Sequence, residues 1–438
     1  MTDRTWTARG MVRPLLGFVL QSRNRSQSSR ESSVGKVSEF RENWVALLGC
    51  CLGIGVGMGA LFFYTSGAFL TAITAELGWS TAKYSSMHLV HAIAIAIAAP
   101  LAGALIDRIG VLPVIAIGFA GEGLGFLLLA IAPMYFELFI TIHLLLAFFG
   151  VGSTAVTFTR IIAERFEKMR GLALAIAVSG VGVAAVVGPP ITTFVNTNYG
   201  WRAGYLMLAA VVFVGGPISL WLIRRSSPRS PILKDRISLK ATMGSFMSII
   251  RQPILWMLLL VIFVFVTSTN GYVVHLIKLL TGQGMSAVEA AQIQSIVGLS
   301  IIFGRLGAGV LVDRFFAPWI AAAFMLFCAT AFIGIASADP AWRIAAAIGL
   351  GLTVGAELDL AAYLVSRYFR IEDFGKTFGL VYATAIISSG SSPLLIALVA
   401  EHGGGYSTAL AVSAMMALAC AALVLFAPRF PGTQERRA

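Results

Sequence analysis

The sequence predicts an all-α polytopic membrane protein with twelve transmembrane helices in two bundles of six. Of the 438 residues, 58% are hydrophobic and only 12% are charged, whereas about a quarter of the residues in soluble domains carry charge. Apolar runs of about 20 residues, the length that crosses a bilayer as a helix, recur along the whole chain. These runs lack the alternation of polar and apolar residues that a transmembrane β-barrel requires.

The runs are separated by short breaks, except for one longer polar break near the middle of the chain. Since each run is close to the spanning length, we assign one helix to each. In chain order, the predicted spans are 45–72, 81–106, 110–131, 137–163, 171–195, 203–223, 253–277, 287–312, 317–337, 342–366, 376–399 and 405–427.

The basic residues predict the orientation. Of the 32 Lys and Arg residues, 26 fall on one side of these spans, four on the other and two within helices. Because cytoplasmic loops are enriched in basic residues, we expect both termini in the cytoplasm and the protein in a cell membrane, the inner membrane of a bacterium. This distribution disfavours a nucleic-acid surface as the explanation of the net charge of +12.

Two internal similarities indicate that one half of the chain duplicates the other. The sequence "GALIDR" at 103–108 recurs as "GVLVDR" at 309–314, a shift of 206 residues, and Gly171 recurs as Gly375, a shift of 204. Duplicated six-helix halves with a binding site between them near the midplane of the bilayer are a recurring plan of transporters.

A basic, proline-containing segment separates the halves, and polar segments flank them. We expect the N-terminal tail to be largely disordered and not a signal peptide. The predicted organisation is a cytoplasmic tail at 1–42, a bundle at 43–224, a cytoplasmic linker at 225–252, a second bundle at 253–428 and a cytoplasmic tail at 429–438.

One arginine lies deep inside an apolar span. Arg305 precedes Asp313 by eight residues, which places it about 12 Å into the membrane at ~1.5 Å per residue. An arginine near a helix centre costs around 2.5–3.5 kcal/mol on insertion scales, so we expect it to be paired or to face a cavity. Its guanidinium fits a carboxylate, which leaves a substrate ligand and a structural ion pair as explanations. The first half carries Ala99 at the matching position, and this asymmetry favours the substrate ligand.

Span ten offers two acidic residues at nearly the same depth. Glu357 and Asp359 are two positions apart, so they point about 200° apart on a helix and cannot both face Arg305. We favour Asp359 slightly as the resting counter-ion, and a structural role for both acids remains the alternative.

The electrostatic cost of importing an anion favours coupling of transport to a proton. Carrying one negative charge into a cell that is negative inside costs ~2.3 kcal/mol per 100 mV, and a co-transported proton cancels that cost. The predicted carriers are Asp359, Glu357 and Glu122, with His91 and its neighbour His88 as weaker candidates for which packing is the favoured alternative.

Charges at the helix ends predict a conformational device. Asp107 and Asp313 close spans two and eight, at the end of the bundle where neighbouring spans carry basic residues. By position, Arg165 or Arg170 would serve the first half, and Arg367 would serve the second. Such pairs would hold the bundles together in one state and separate in another; solvated helix-end charges are the alternative.

Several polar residues are further candidates for the cavity wall. Arg160 lies about one turn inside the end of span four. Its side chain is either a second cationic contact for the substrate or snorkels to the cytoplasm. The substrate-binding candidates besides Arg305 are Tyr64, Asn270, Tyr272 and Tyr382, for which packing is the alternative.

The sequence resembles the major facilitator superfamily. "GALIDRIG" is similar to the loop 2–3 motif of that superfamily, and "ELGWS", "RGLALAIAVSGVG", "GWRAGY" and "GAELDLAAYLVSRYF" resemble its bacterial monocarboxylate-porter-like branch. The resemblance covers roughly 43–428 and extends to oxalate–formate antiporters. It implies the fold of that superfamily, and in monocarboxylate porters the arginine corresponding to Arg305 is the ligand of the substrate carboxylate.

The chain departs from the family in two places. Animal monocarboxylate carriers have an aspartate four residues before the span-eight arginine, where this chain has Ile301, and their span-one lysine has no counterpart in 45–72. The resemblance therefore supports anion recognition better than it supports the proton relay of those carriers.

Together these observations predict a secondary active transporter that moves a small, monocarboxylate-like organic anion by alternating access, with a proton. An anion antiporter of the oxalate–formate type or a drug or metabolite efflux antiporter is the alternative. An enzyme is disfavoured, since the sequence lacks a Walker A motif, a nucleophile elbow and HExxH. We expect no cofactor or metal, no nucleic-acid partner, a lipid bilayer as surroundings and function as a monomer.

Overall fold

The computed structural model describes residues 38–430 except 134, 168, 227–246 and 338. This part of the chain contains twelve helices that are long and apolar enough to cross a membrane, so the predicted fold class is confirmed. Each predicted span falls on one of these helices. They are α1 (Ser38–Leu77), α2 (Thr81–Ile109), α3 (Val111–Ile131), α4 (Phe136–Arg165), α5 (Arg170–Tyr199), α6 (Trp201–Arg225), α7 (Pro253–Gly282), α8 (Ala287–Arg314), α9 (Ala317–Ala336), α10 (Pro340–Tyr368), α11 (Phe374–His402) and α12 (Tyr406–Leu425).

Most of the predicted tails and of the predicted linker lie outside the described residues, namely 1–37, 227–246 and 431–438. The first turn of α1, which the sequence analysis assigned to the tail, is helical from Ser38. Glu39 of this turn accepts hydrogen bonds from the backbone N–H groups of Glu167 and Met169, at 2.7 and 3.0 Å, and thereby fastens α1 to the α4–α5 connection.

Two cores divide the helices into the predicted bundles. One buried apolar cluster is drawn almost entirely from α1–α6 and the other almost entirely from α7–α12. Tyr64, Ala68 and Ala185 pack into the second cluster, whereas Val274 packs into the first. These residues therefore lie where the two bundles meet.

The bundles have two ends, the basic face and the far face. The basic face is the end at which the even-numbered helices finish, at Ile109, Arg165, Arg225, Arg314, Tyr368 and Leu425. The far face is the opposite end, where the odd-numbered helices finish, at Leu77, Ile131, Tyr199, Gly282, Ala336 and His402.

The bundles meet in their far halves. Gly298 of α8 lies so close to α5 that a Cβ there would come within 2.5 Å of the Ala185 carbonyl group. Among the described residues, the hydrogen bonds between bundles also lie from the middle of the helices to the far face. They join Lys278 to Thr74 and Thr81, Ala82 to Glu401, Ser85 to His275, Gln294 to Tyr64 and Ser295 to Val186. The structure is therefore closed at the far face.

Exposed apolar side chains mark the outer surface of the bundles. On α8 they recur every three or four residues, which is one face of a helix, at Leu299, Phe303, Leu306 and Val310. We call these four residues the α8 stripe. A contiguous exposed apolar surface on a spanning helix is the surface that lipid chains cover.

Candidate functional site

The deep arginine pairs with one of the two acids of α10. Arg305 Nε lies 3.3 Å from Asp359 Oδ2, and the side chains remain 30% and 42% exposed. In the described part of the chain, no hydrogen bond engages the two Nη atoms of Arg305. The pair thus neutralises a charge inside the bundle while it leaves the outer edge of the guanidinium accessible.

Glu357 occupies the other side of α10, as the spacing predicts. It is buried, and its carboxylate accepts hydrogen bonds from Asn270 Nδ2 at 2.9 and 3.1 Å and from Thr269 Oγ1 at 3.4 Å. Ser389 of α11 donates to Asn270 Oδ1 at 3.4 Å. Glu357 and Asn270, which sequence reasoning placed in different roles, therefore form one polar cluster between α7, α10 and α11.

A cavity of about 810 Å³ lies against the Arg305–Asp359 pair. Its walls come from α5, α8 and α10, and it reaches from Arg305 to Gly171 and Asp313 near the basic face. Apart from the charged groups the walls are mainly apolar, with Leu172 and Leu306 on opposite sides. We call this cavity the α5–α8 crevice.

The three predicted tyrosines lie in different surroundings. Tyr64 is buried at the contact between bundles, within electrostatic range of both Arg305 and Glu357. Tyr382 is half-buried on α11, next to Phe378. Neither tyrosine is among the residues that line the α5–α8 crevice.

Tyr272 does not lie at the site, contrary to the expectation. Its hydroxyl is 3.2 Å from Ser413 Oγ of α12, and its ring packs against Phe332 of α9. The side chain therefore fills the core of the second bundle. Tyr272 and Asn270 are two positions apart, so their side chains point about 200° apart and cannot both face one cavity. Which of the two faces it depends on the rotation of α7, which the sequence does not specify.

Glu122 is buried where two helices break. Its Oε2 accepts a hydrogen bond from Ser153 Oγ at 2.7 Å. Ser153 Oγ in turn accepts a hydrogen bond from the backbone N–H of Met58 at 3.2 Å. Ser153 ends a 3₁₀ turn that interrupts α4, and Met58 resumes α1 after its own interruption. The carboxyl thus satisfies groups that the two breaks release, in the first bundle and away from the Arg305–Asp359 pair.

His91 and His88 belong to a buried aromatic cluster in the first bundle. Phe62 stacks on His91 with ring centroids 3.7 Å apart, and His88 and His143 lie 5.0 and 5.6 Å from the same ring. Sequence reasoning missed His143. Its signal was available, because His143 stands as far from the start of α4 as His88 does from the start of α2.

The structure gives Asp107 a different partner from the expected ones. Asp107 Oδ1 accepts from Arg160 at 3.0 Å. Arg165 donates instead to the Ile223 carbonyl of α6, and Arg170 donates to the carbonyls of Phe166 and Ala163. Arg160 lies one turn closer to the membrane centre than Arg165, and it bends back to the basic face.

The corresponding charged residues of the second half, Asp313 and Arg367, have different surroundings. Asp313 is exposed at the mouth of the α5–α8 crevice. Arg367 lies over the rings of Phe430 and Tyr363, at 5.0 and 6.0 Å. Both remain at the basic face, where a conformational pair was expected.

A polar contact at the far face was not foreseen from the sequence. Lys278 Nζ of α7 donates to Thr74 and Thr81 of the first bundle, at 3.1 and 2.7 Å, and Glu401 of α11 accepts from the first turn of α2 at Ala82. We call these five residues the far-face latch. Each member lies near a helix end, so nothing in the sequence pattern distinguished it from an ordinary solvated residue.

Residues 50–356 match the profile of the Major Facilitator Superfamily. Because this match spans most of the chain and the structure has twelve spanning helices in two bundles, the chain belongs to that superfamily. Its members are transporters and not enzymes, which confirms the expected absence of an enzymatic function.

Similar proteins include carriers named for monocarboxylates. Monocarboxylate transporter 13 of Rattus norvegicus is 23% identical over 399 residues, covering 88% of this chain and 89% of the relative. Monocarboxylate transporter 11 of Homo sapiens is 23% identical over 359 residues, covering 78% and 74%. The Fujikurins efflux protein of Gibberella fujikuroi is 25% identical over 338 residues, covering 74% and 69%.

Solved structures share the fold. A D-xylose–proton symporter aligns with a TM-score of 0.64 and 17% identity, covering 90% of this chain and 98% of that one. A bacterial homologue of the human lysosomal transporter Spinster, in an inward-facing and unoccupied conformation, aligns with a TM-score of 0.64 and 17% identity, covering 87% and 94%. At this identity, the likeness establishes the fold alone.

Proposed function

We propose that this transporter moves a small organic monoanion of the monocarboxylate class by alternating access, and that a proton accompanies the anion. The observation that carries the proposal is the partly exposed ion pair of Arg305 and Asp359 inside the bundle. A permanent cation with accessible N–H groups is the group that recognises a carboxylate.

The resting pair explains how the site tolerates being empty. Asp359 neutralises Arg305 when no substrate is present, so the guanidinium is never left unpaired in a low-dielectric environment. An incoming carboxylate binds the accessible edge of the guanidinium and competes with Asp359 for it. Tyr64 and Tyr382 remain substrate-binding candidates in this proposal, whereas Tyr272 takes no part.

Glu357 is the favoured proton carrier. A carboxyl in its position can be neutral or ionised, because Asn270 donates to it and Ser389 holds Asn270 in place. Asp359 becomes a carrier if the substrate displaces it from Arg305. Glu122 and His91 remain weaker candidates, since each lies in the packed interior of the first bundle.

The basic face is the cytoplasmic side in this proposal, with both termini there and the protein in a cell membrane, the inner membrane of a bacterium. The excess of Lys and Arg on that side supports this orientation. Asp107 with Arg160, and Asp313 with Arg367, would then act at the cytoplasmic ends of the bundles when the crevice closes. The transporter acts as a monomer, since each chain contains both bundles and the crevice between them.

The test is uptake of labelled carboxylates by proteoliposomes that contain the purified protein, with and without an imposed pH gradient. We expect uptake of a monocarboxylate such as lactate, accelerated when the outside is acidic, and no uptake of a sugar or an amine. Uptake that needs a second anion inside and ignores the gradient would favour the antiporter, and the names of two similar proteins support an efflux role. Absence of carboxylate transport in either direction would contradict the proposal.

A further inference from the structure

The α5–α8 crevice is continuous with the outer surface of the bundles. Leu306 and Val310 of the α8 stripe line it, and both are more than half exposed. Leu172 of α5, which is 49% exposed, lines the opposite wall. The side chains that face the lipid at this level therefore also face the cavity that ends at Arg305.

The crevice is long and wide enough to hold a molecule with an extended apolar body. From Arg305 to Asp313 the wall on α8 extends about 12 Å, and from Gly171 to Val178 the wall on α5 extends about 10 Å, at ~1.5 Å per residue. Its volume of about 810 Å³ lies in the range of pockets that hold drug-sized ligands, roughly 300–1,000 Å³. A carboxylate of two or three carbons would leave most of this space unfilled.

Small residues keep the crevice open. Gly171 and Gly309 both line it, and a Cβ at either position would have no atom within 4 Å. Gly307 of α8 has the same free space but does not line the crevice. The room at Gly171 and Gly309 is thus a property of the cavity, and a Cβ at either position meets no atom.

We propose that the α5–α8 crevice binds an amphiphilic monocarboxylate, with the carboxylate on Arg305 and the apolar body between α5 and α8, and that such a molecule enters sideways from the adjacent lipid leaflet. The charge at the inner end of the crevice and the apolar, lipid-facing walls match the two parts of this molecule. This inference rests on the proposed function, and it narrows the substrate class from small monocarboxylates to those with an extended apolar body.

The experiment compares octanoate with lactate. Binding is measured by isothermal titration on the protein in lipid nanodiscs, with empty nanodiscs as the blank for partitioning of octanoate into lipid. We expect octanoate to bind at least tenfold more tightly than lactate. Gly309→Phe fills the crevice and should weaken octanoate binding at least tenfold, with little effect on lactate.

Two further variants separate the crevice from general effects on folding. Gly171→Phe fills the same space from the opposite wall and should reproduce the loss, whereas Gly307→Phe is the matched control and should leave both affinities unchanged. Equal affinities for the two anions, or octanoate binding that survives both crevice variants, would overturn this inference while leaving the proposed function intact. Absence of binding for both anions in the wild type would overturn the proposed function as well.

Discussion

Arg305 and Asp359 pair through Nε and Oδ2 at 3.3 Å, on neighbouring helices and at the same depth in the second bundle. Arg305 lines the crevice and its side chain is 30% exposed, so in the proposed function an anion reaches the guanidinium before the pair separates. In the proposed function, Asp359 is a competitor that is already in place, which lowers the cost of an empty site and favours release after each cycle.

Replacement of the Glu357 carboxyl by an amide should uncouple transport from the pH gradient. Glu357→Gln keeps the shape of the side chain and a hydrogen bond with Asn270 but cannot exchange a proton. We expect net uptake to lose its dependence on the gradient, while exchange of labelled for unlabelled carboxylate continues within about threefold of the wild-type rate. Glu122→Gln is the control variant, because it makes the same change at a buried carboxyl of the first bundle and leaves Glu357 in place. Gradient-driven uptake by Glu357→Gln at the wild-type level would assign the proton to another group.

A larger side chain at Gly298, where the two bundles come close, should prevent closure at the far face. A Cβ on Gly298 would meet the backbone of Ala185 at 2.5 Å, so Gly298→Ala disfavours the state seen here and favours the one open at the far face. The measurement is alkylation of Val274→Cys, a fully buried position of α7 that packs against the first bundle, in a background without the four native cysteines. We expect faster alkylation by a membrane-impermeant maleimide, whereas Gly307→Ala, which meets no atom, should have no effect.

The far-face latch should contribute measurably to the same equilibrium. Lys278→Met removes the donor to Thr74 and Thr81, a loss of about 1–2 kcal/mol for a partly buried charged donor, or about 5–30-fold in the ratio of states. Distances between spin labels at Tyr199 and Val288 report the separation of α5 and α8. The population with the longer distance should rise in Lys278→Met and stay constant in Lys83→Met, whose ammonium lies over Trp79 and Phe136 of its own bundle. Unchanged distances in Lys278→Met would show that the latch is not a determinant of closure.

The hydroxyl of Ser153 should stabilise the first bundle. Ser153→Ala removes the hydroxyl that donates to Glu122 and accepts from the Met58 N–H, and a buried group that loses its partner costs about 1–3 kcal/mol. We expect a lower melting temperature in detergent. Ser268→Ala is the matched control, because Ser268 is equally buried and, among the described residues, bonds only to the Phe265 carbonyl of its own helix. Equal melting temperatures for the two variants would contradict the structural role of Ser153.

The sequence predicted the helices and the depth of the charged residues well, because both follow from local properties. Apolar run length determines a span, and position along a helix determines depth, so Arg305 and Asp359 were expected at one level. The 200° between Glu357 and Asp359 likewise follows from helical geometry, and the structure separates the two acids accordingly.

Contacts between helices were not predictable in the same way. Whether Tyr272 faces a cavity or a core depends on the rotation of α7 against α9 and α12, which a single sequence does not encode in any local pattern. Arg160 and Arg165 lie about one turn apart on α4, and both side chains are long enough to approach the basic face. The sequence therefore does not specify which of them pairs with Asp107. The crevice depends on the separation of α5 and α8, a property of the conformational state and not of either helix.

The most direct test of the account is the affinity of the protein for its anion when the guanidinium is replaced. Binding of octanoate and lactate is titrated in nanodiscs for the wild type, for Arg305→Lys and for Arg202→Lys, an exposed arginine that pairs with Glu76 at the far face. The account predicts a loss of at least tenfold for both anions in Arg305→Lys, because an ammonium cannot reproduce the planar fork, and no change in Arg202→Lys. Wild-type affinity of Arg305→Lys for both anions would contradict the assignment of Arg305 as the carboxylate site.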